Sequence, residues 1–67
     1  MSLKLKNKVK PYRCNDLVLF GKYYGKTIKY ICNVDPLWIK EEMARNKDFK
    51  LTEYTEMQFE FKLAEAL

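Results

Sequence analysis

Both glycines of this 67-residue chain fall in one short segment, which determines where the backbone makes its sharpest turn. The segment reads Leu-Phe-Gly-Lys-Tyr-Tyr-Gly-Lys-Thr-Ile over residues 19–28. A phosphate-binding P-loop has four residues between its first glycine and the Gly-Lys-Thr sequence, because enough backbone N–H groups must surround a phosphate. Only three intervene here, at positions 22–24. The segment therefore predicts a tight turn rich in lysine and tyrosine, with Gly25 at a positive φ angle, and not an ATP or GTP site.

The length of the chain limits it to one small domain over residues 1–67, near the lower size for independent folding. Hydrophobic residues at 48% and aromatics at 15% favour a folded domain over a disordered tail. No apolar run is long enough to span a membrane, and the N-terminus alternates lysine with apolar residues instead of presenting a secretory signal. We therefore expect a cytoplasmic protein.

Metal and cofactor sites are not expected. Histidine is absent, and the two cysteines, Cys14 and Cys32, lack the paired spacing of a zinc ribbon. We interpret both as reduced thiols, with Cys32 a small buried apolar residue.

Charge is distributed unevenly along the chain. Residues 1–34 carry eight basic side chains and one acidic side chain, a net +7, whereas residues 35–67 carry five basic and eight acidic, a net −3. This asymmetry favours a basic face for a polyanion, with the acidic half turned away or facing a separate partner. The alternative is that the lysines only keep a small domain soluble.

The N-terminal half predicts extended structure. Apolar residues alternate with lysines over positions 3–10, as in a strand with one solvated face or a basic arm, and we assign residues 1–13 to this element. Residues 17–20 predict a short apolar strand covered on both sides. The glycine segment supplies the bend, and Lys26 begins the return strand. However, Ile28, Ile31 and Val34 recur at intervals of three, which favours a helical turn capped by Thr27 over a long second strand.

Two further helices are predicted. Asp35 as a cap and Pro36 at the first helical position begin a helix that runs to about Asn46, with Trp38 in the core. Residues 55–63 alternate as a strand would, yet Tyr54, Met57, Phe61 and Ala64 also form a helical stripe, which Phe59 and Leu63 would widen. Good helix formers and the lack of a turn signal favour a helix over 52–67. The expected fold is α+β: a small N-terminal antiparallel β-hairpin, with a third strand as an alternative, packed on two or three helices.

One family resemblance is carried by these motifs. The string Leu-Phe-Gly-Lys-Tyr-x-Gly-Lys-Thr-Ile, followed by Asp35-Pro36-x-Trp38-Ile39, resembles the small module at the C-terminus of exodeoxyribonuclease X-like proteins, which also occurs as free-standing bacterial and phage proteins. The match covers residues 17–46, a hairpin-helix module. Glu41 stands where the family carries a second aromatic residue, and the basic arm lies outside the shared pattern. The resemblance implies an accessory module that acts beside DNA-processing enzymes.

Catalysis by this chain is not expected. Metal-dependent exonucleases need several converging carboxylates, whereas only three aspartates are present and one of them is better explained as a helix cap. Ser2 is the only serine, and without histidine neither serine nor cysteine has its usual activating base.

The favoured function is nucleic-acid binding through the hairpin and the basic N-terminal segment, with single strands or frayed ends as the partner. Lysines of the hairpin would neutralise phosphates, and the two tyrosines of the turn could stack on exposed bases. One of them is expected to cover the core instead, and the resemblance favours Tyr23 for this role because it aligns with the family's recurring aromatic residue, which leaves Tyr24 for stacking. The candidate binding residues are Lys22, Tyr24, Lys26 and Lys29, extended by Lys4, Lys6, Lys8, Lys10 and Arg13.

A protein-interaction or oligomerisation module of a phage or bacterial factor is the alternative. The aromatic C-terminal segment favours it, since small domains often gain stability by burying a face against another copy. A DNA-processing enzyme is a further candidate partner.

Overall fold

A computed structural model describes residues 10–66, and within that range the secondary structure is helical. The helices are α1 (Ile28–Val34), α2 (Pro36–Arg45) and α3 (Glu53–Ala66), and each contacts the other two. Residues 10–66 contain no β-strand. Backbone pairing is limited to an antiparallel bridge between Leu17 and Thr27 and a parallel bridge between Tyr12 and Leu51. The predicted α+β fold with a β-hairpin is therefore wrong, and this part of the chain is all-α.

The hairpin does not extend because a helix starts where the return strand was expected. The Thr27 hydroxyl accepts a hydrogen bond from Tyr30 N at 3.1 Å, so the predicted cap is confirmed and α1 begins at Ile28. On the outgoing side Val18 is buried, whereas Leu17 and Leu19 are 51% and 61% exposed. The prediction that residues 17–20 are covered on both faces is also wrong, because only one face meets the core.

Asp35 connects α1 to α2. Its backbone N–H donates to Ile31 O at 2.7 Å, which closes α1, and its carboxylate accepts from Trp38 N at 3.3 Å, which caps α2. Pro36 occupies the first turn, where a missing N–H costs nothing. The predicted helix from Pro36 to about Asn46 is confirmed, with Asn46 as its C-cap.

The core is built around Trp38, which is 9% exposed, as the sequence predicted. Its ring lies 5.4 Å from the Tyr23 ring, 5.9 Å from that of Phe20 and 6.0 Å from that of Phe49. Aliphatic residues of α1 and α2 complete the core, with Ile28, Ile31 and Ile39 fully buried. Aromatic pairs at these separations add to the stabilisation from burial, so the glycine segment and residue 49 are held to the same side of α2.

Helix α3 begins at a threonine cap, where Thr52 Oγ1 accepts from Thr55 N at 3.3 Å. Of its side chains Thr55 and Phe59, four residues apart, are buried against the other helices. The helix predicted over 52–67 is confirmed for Glu53–Ala66. None of the helices in the described part of the chain is long and apolar enough to cross a membrane.

Candidate nucleic-acid interface

The glycine loop, residues 20–27, is held by backbone hydrogen bonds. Gly21 and Gly25 have φ angles of 73° and 84°, conformations that other residues rarely adopt. Gly25 N donates to Val18 O at 2.7 Å, and Lys26 N donates to Tyr23 O at 3.0 Å. The predicted tight turn is therefore present, with its apex supported on the buried Val18.

The two adjacent tyrosines of this loop point in opposite directions. Tyr23 packs against the core, as predicted, and its hydroxyl donates to Asp35 Oδ2 at 2.9 Å. That hydrogen bond, with a smaller contribution from desolvation, raises the pKa of Tyr23 above its ordinary value of 10.0. Tyr24, in contrast, is 66% exposed at the apex. The structure thus separates a supporting ring from one that is free to contact a ligand.

Three lysines lie close to Tyr24 in the sequence, at positions 22, 26 and 29. Lys22 Nζ lies 3.8 Å from Asp35 Oδ2, yet its side chain remains 67% exposed, so this is a loose surface ion pair. Lys26 Nζ lies 5.2 Å from the centroid of the Tyr30 ring, within cation–π range. Lys29 is exposed on α1. Among residues 10–66 no carboxylate lies within 4.0 Å of the ammonium groups of Lys26 or Lys29.

The start of α1 cannot act as a phosphate cradle, although it follows Gly-Lys-Thr. Ile28 N donates to Asp16 O at 3.1 Å and Lys29 N donates to Cys14 O at 2.9 Å, while Tyr30 N is used by the Thr27 cap. In a P-loop such N–H groups point at phosphate. Because they are already paired here, any contact with a phosphate in this region must come from side chains.

The predicted N-terminal extension of the site is only partly visible. Lys10 and Arg13 are exposed and line a shallow cavity of about 640 Å³ together with Asp16 and Asp48. Two carboxylates therefore share that surface with the two cations. The remaining predicted residues, Lys4, Lys6 and Lys8, lie outside the described part of the chain.

A second cluster of polar groups, not anticipated from the sequence, lines a cleft of about 550 Å³ between α1 and α3. Lys29 and Asn33 come from α1, whereas Tyr54, Gln58 and Lys62 come from α3. Their spacing of four residues places them on one face of each helix, and this spacing is visible in the sequence. It predicts a shared cleft only once α1 and α3 are known to be neighbours. Tyr30 and Asp35, the partners of Lys26 and Lys22, were also missed as parts of the interface.

The floor of the cleft contains both thiols, which are free cysteines as predicted. Burial, and to a lesser extent the neighbouring Cys14, raises the pKa of Cys32 to about 11, against the opposing influence of the Lys62 ammonium. Cys14 Sγ donates to Thr55 Oγ1 at 3.8 Å. A protonated, buried Cys32 is a poor nucleophile and a poor metal ligand. Within residues 10–66, no three Cys, Asp or Glu side chains are grouped closely enough to hold a metal ion.

No family model, curated protein or solved structure matches this chain.

Proposed function

We propose that this chain is a non-catalytic cytoplasmic module that binds single-stranded or frayed nucleic acid beside DNA-processing enzymes, with the glycine loop as its first contact. The exposed Tyr24 ring stacks on a base, and the ammonium groups of Lys22, Lys26 and Lys29 neutralise phosphates on either side. Stacking tolerates any base, so binding is expected to depend weakly on sequence.

The observation that carries this proposal is the outward position of Tyr24 on a loop whose neighbouring tyrosine is fixed. A ring that is 66% exposed contributes little to folding, yet the backbone beneath it is constrained by two positive-φ glycines and four backbone hydrogen bonds. Because the backbone is already fixed, the loop loses little backbone freedom when a base stacks on the ring.

Salt-resolved binding to a twelve-nucleotide oligothymidylate tests the proposal. If roughly five phosphates are neutralised, the logarithm of the affinity should fall with the logarithm of salt at a slope of about −3.5, since each contact on a single strand contributes about 0.7. Changing Lys22 and Lys26 together to alanine should flatten the slope by about 1.4. The matched control changes Lys40 and Lys47 to alanine, because both are exposed in the acidic half and lie outside the loop.

The stacking step has its own test. Tyr24→Ala should weaken binding by about 1–3 kcal/mol, whereas Tyr24→Phe, which keeps the ring, should bind like the original chain. Equal loss in both variants, or an unchanged slope in the double lysine variant, would remove the glycine loop from the proposed function.

A second candidate function, self-association, is favoured by the outer face of α3. Tyr54, Met57 and Phe61 are 64%, 61% and 63% exposed, and their spacing of three and four residues places them on one face. In an antiparallel pairing of two α3 helices centred between residues 57 and 58, Tyr54 of each copy meets Phe61 of the other. The pairing is self-matching, as a two-fold interface requires.

Sedimentation equilibrium separates this candidate from the first. Phe61→Lys should convert a dimer into a monomer without loss of helix, since Phe61 is outside the core. A chain that is monomeric at about 100 times the concentration used for nucleic-acid binding, where a weak dimer would form by mass action, excludes self-association as its function.

A further inference from the structure

The cleft between α1 and α3 differs in the charge of its lining from three other cavities of the described chain. Its lining includes Lys29 and Lys62 and no carboxylate, whereas each of the other three includes Asp16, Asp48 or Glu65. Its volume of about 550 Å³ lies in the range of sites that hold a small molecule. Of these four cavities, the cleft is thus the one best suited to an anion.

The uncharged groups of the cleft narrow the choice of ligand. Asn33 and Gln58 bring side-chain amides, one from each helix, and an amide both donates and accepts hydrogen bonds. Tyr54 adds a ring that is 64% exposed at the edge of the cleft. Cations, amides and one exposed ring match the phosphate, the base edge and the base face of a nucleotide, respectively.

Lys29 connects the cleft to the glycine loop along the chain. It lines the cleft and lies three residues after Lys26, across the Thr27 cap at which α1 begins. A strand whose phosphate contacts the loop lysines therefore has its next units close to the cleft.

We propose that this cleft holds one nucleotide of a bound single strand, with its phosphate against Lys29 and Lys62, its base on Tyr54 and its base edge facing Asn33 and Gln58. This inference rests on the proposed function and extends it from the loop to the groove between two helices.

Glu65 provides a sensitive way to test the role of Lys62. Its Oε1 lies 3.7 Å from Lys62 Nζ, so this carboxylate competes with a phosphate for the same ammonium group. Removing the carboxylate should strengthen nucleotide binding, whereas a purely structural role for the pair predicts no gain.

Four variants of the 67-residue chain are titrated with the twelve-nucleotide oligothymidylate at about 0.1 M salt. Lys62→Gln should weaken binding about fivefold and reduce the salt slope by about 0.7, and Glu65→Gln should strengthen binding. The controls Lys40→Gln and Glu41→Gln make the same charge changes on the exposed side of α2 and should have smaller effects in both directions. In nitrogen-15 spectra of the unaltered protein, the side-chain amide signals of Asn33 and Gln58 should shift on binding.

The outcomes distinguish the cleft from the loop. If the α3 variants match their α2 controls and the two amides do not shift, the cleft is excluded while loop binding stands. If the cleft variants respond as expected but the loop variants do not, the cleft stands and the loop is excluded. The absence of any oligonucleotide binding overturns both, and a response to thymidine monophosphate without one to the oligonucleotide assigns the cleft to a free nucleotide and overturns the strand proposal.

Discussion

The glycine loop and α3 differ in where they place their aromatic residues. The loop has no regular secondary structure, yet it directs Phe20 and Tyr23 inward against Trp38. Helix α3 is regular over its whole length, yet it buries few side chains and leaves Phe61 63% exposed. The difference shows that regular backbone and firm attachment to the core are separate properties in a chain of this size, because side-chain contacts rather than helix content tie each segment down.

The largest effect is expected where α3 does reach the core. Phe59→Ala should lower the free energy of unfolding by about 3–5 kcal/mol, because the ring is 4% exposed and its removal leaves a cavity. Phe61→Ala, two residues away on the exposed side, should change it by less than about 0.5 kcal/mol. Urea denaturation followed by circular dichroism measures both, with Phe59→Leu as the milder variant if the alanine variant is unfolded. Similar costs for Phe59→Ala and Phe61→Ala would show that the buried and exposed faces of α3 are assigned wrongly.

A smaller loss of stability is expected when the contacts of Asp35, which joins the glycine loop to the start of α2, are removed. Asp35→Ala removes the cap of α2 and the acceptor of the Tyr23 hydroxyl, so the free energy of unfolding should fall by about 1–3 kcal/mol. Asp35→Asn keeps a capping oxygen and should cost less. A double-mutant cycle with Tyr23→Phe should give a coupling energy of about 0.5–1.5 kcal/mol, and zero coupling would contradict the hydrogen bond.

Replacing Gly25 by an L-residue should lower the free energy of unfolding by about 1 kcal/mol. Gly25→Ala forces a side chain into a backbone conformation with a φ of 84°, although the added methyl group would meet no atom within 4 Å. The cost is therefore purely conformational. Chemical synthesis with D-alanine at position 25 provides the matched control, because this residue prefers positive φ and should be neutral or stabilising. An equal loss for both enantiomers, measured by thermal denaturation, would indicate a steric cause instead.

The smallest effect at neutral pH is expected from the groups with raised pKa values, and it should grow only in alkali. The folded protein holds the proton of Cys32 up to a pKa of about 11, whereas the unfolded chain loses it near 9.0. The unfolded state therefore binds fewer protons between these values, and the free energy of unfolding should fall as pH rises through this window. Tyr23 acts in the same direction above 10.0. Cys32→Ala should make the decline shallower, and an unchanged pH profile would contradict the burial of the thiol.

Local signals in the sequence predicted the helices better than the extended segment. Thr27 and Asp35 determine where helices begin through hydrogen bonds to residues three positions later, and Pro36 does so through its fixed φ angle, so their effect is visible without knowing the rest of the fold. The hairpin was predicted wrongly because the residues after Lys26 can either pair with residues 17–20 or form α1. The Thr27 cap starts α1, so the pairing ends after the single bridge between Leu17 and Thr27.

The candidate interface shows the same division. The packing of Tyr23 on the core was expected from its alignment with an aromatic residue of the resembled family, and Tyr24 is exposed beside it. The cleft was not foreseen because Lys29 and Lys62 are 33 positions apart and meet only through the packing of α1 on α3. Phe49, which joins Tyr12 to the aromatic core at a ring separation of 5.0 Å, was missed for the same reason.

The occupied N-terminus of α1 separates recognition from folding. The backbone carbonyl oxygens of Asp16 and Cys14 accept hydrogen bonds from the N–H groups of Ile28 and Lys29. Because these N–H groups are not free for an anion, an anionic ligand can be bound here only by side chains, which can be substituted. In the proposed function, affinity is therefore adjustable one lysine at a time, with the backbone framework left intact. A designer wishing to weaken, strengthen or redirect this surface therefore works with exposed side chains, the loop lysines and Tyr24 among them, and not with the backbone.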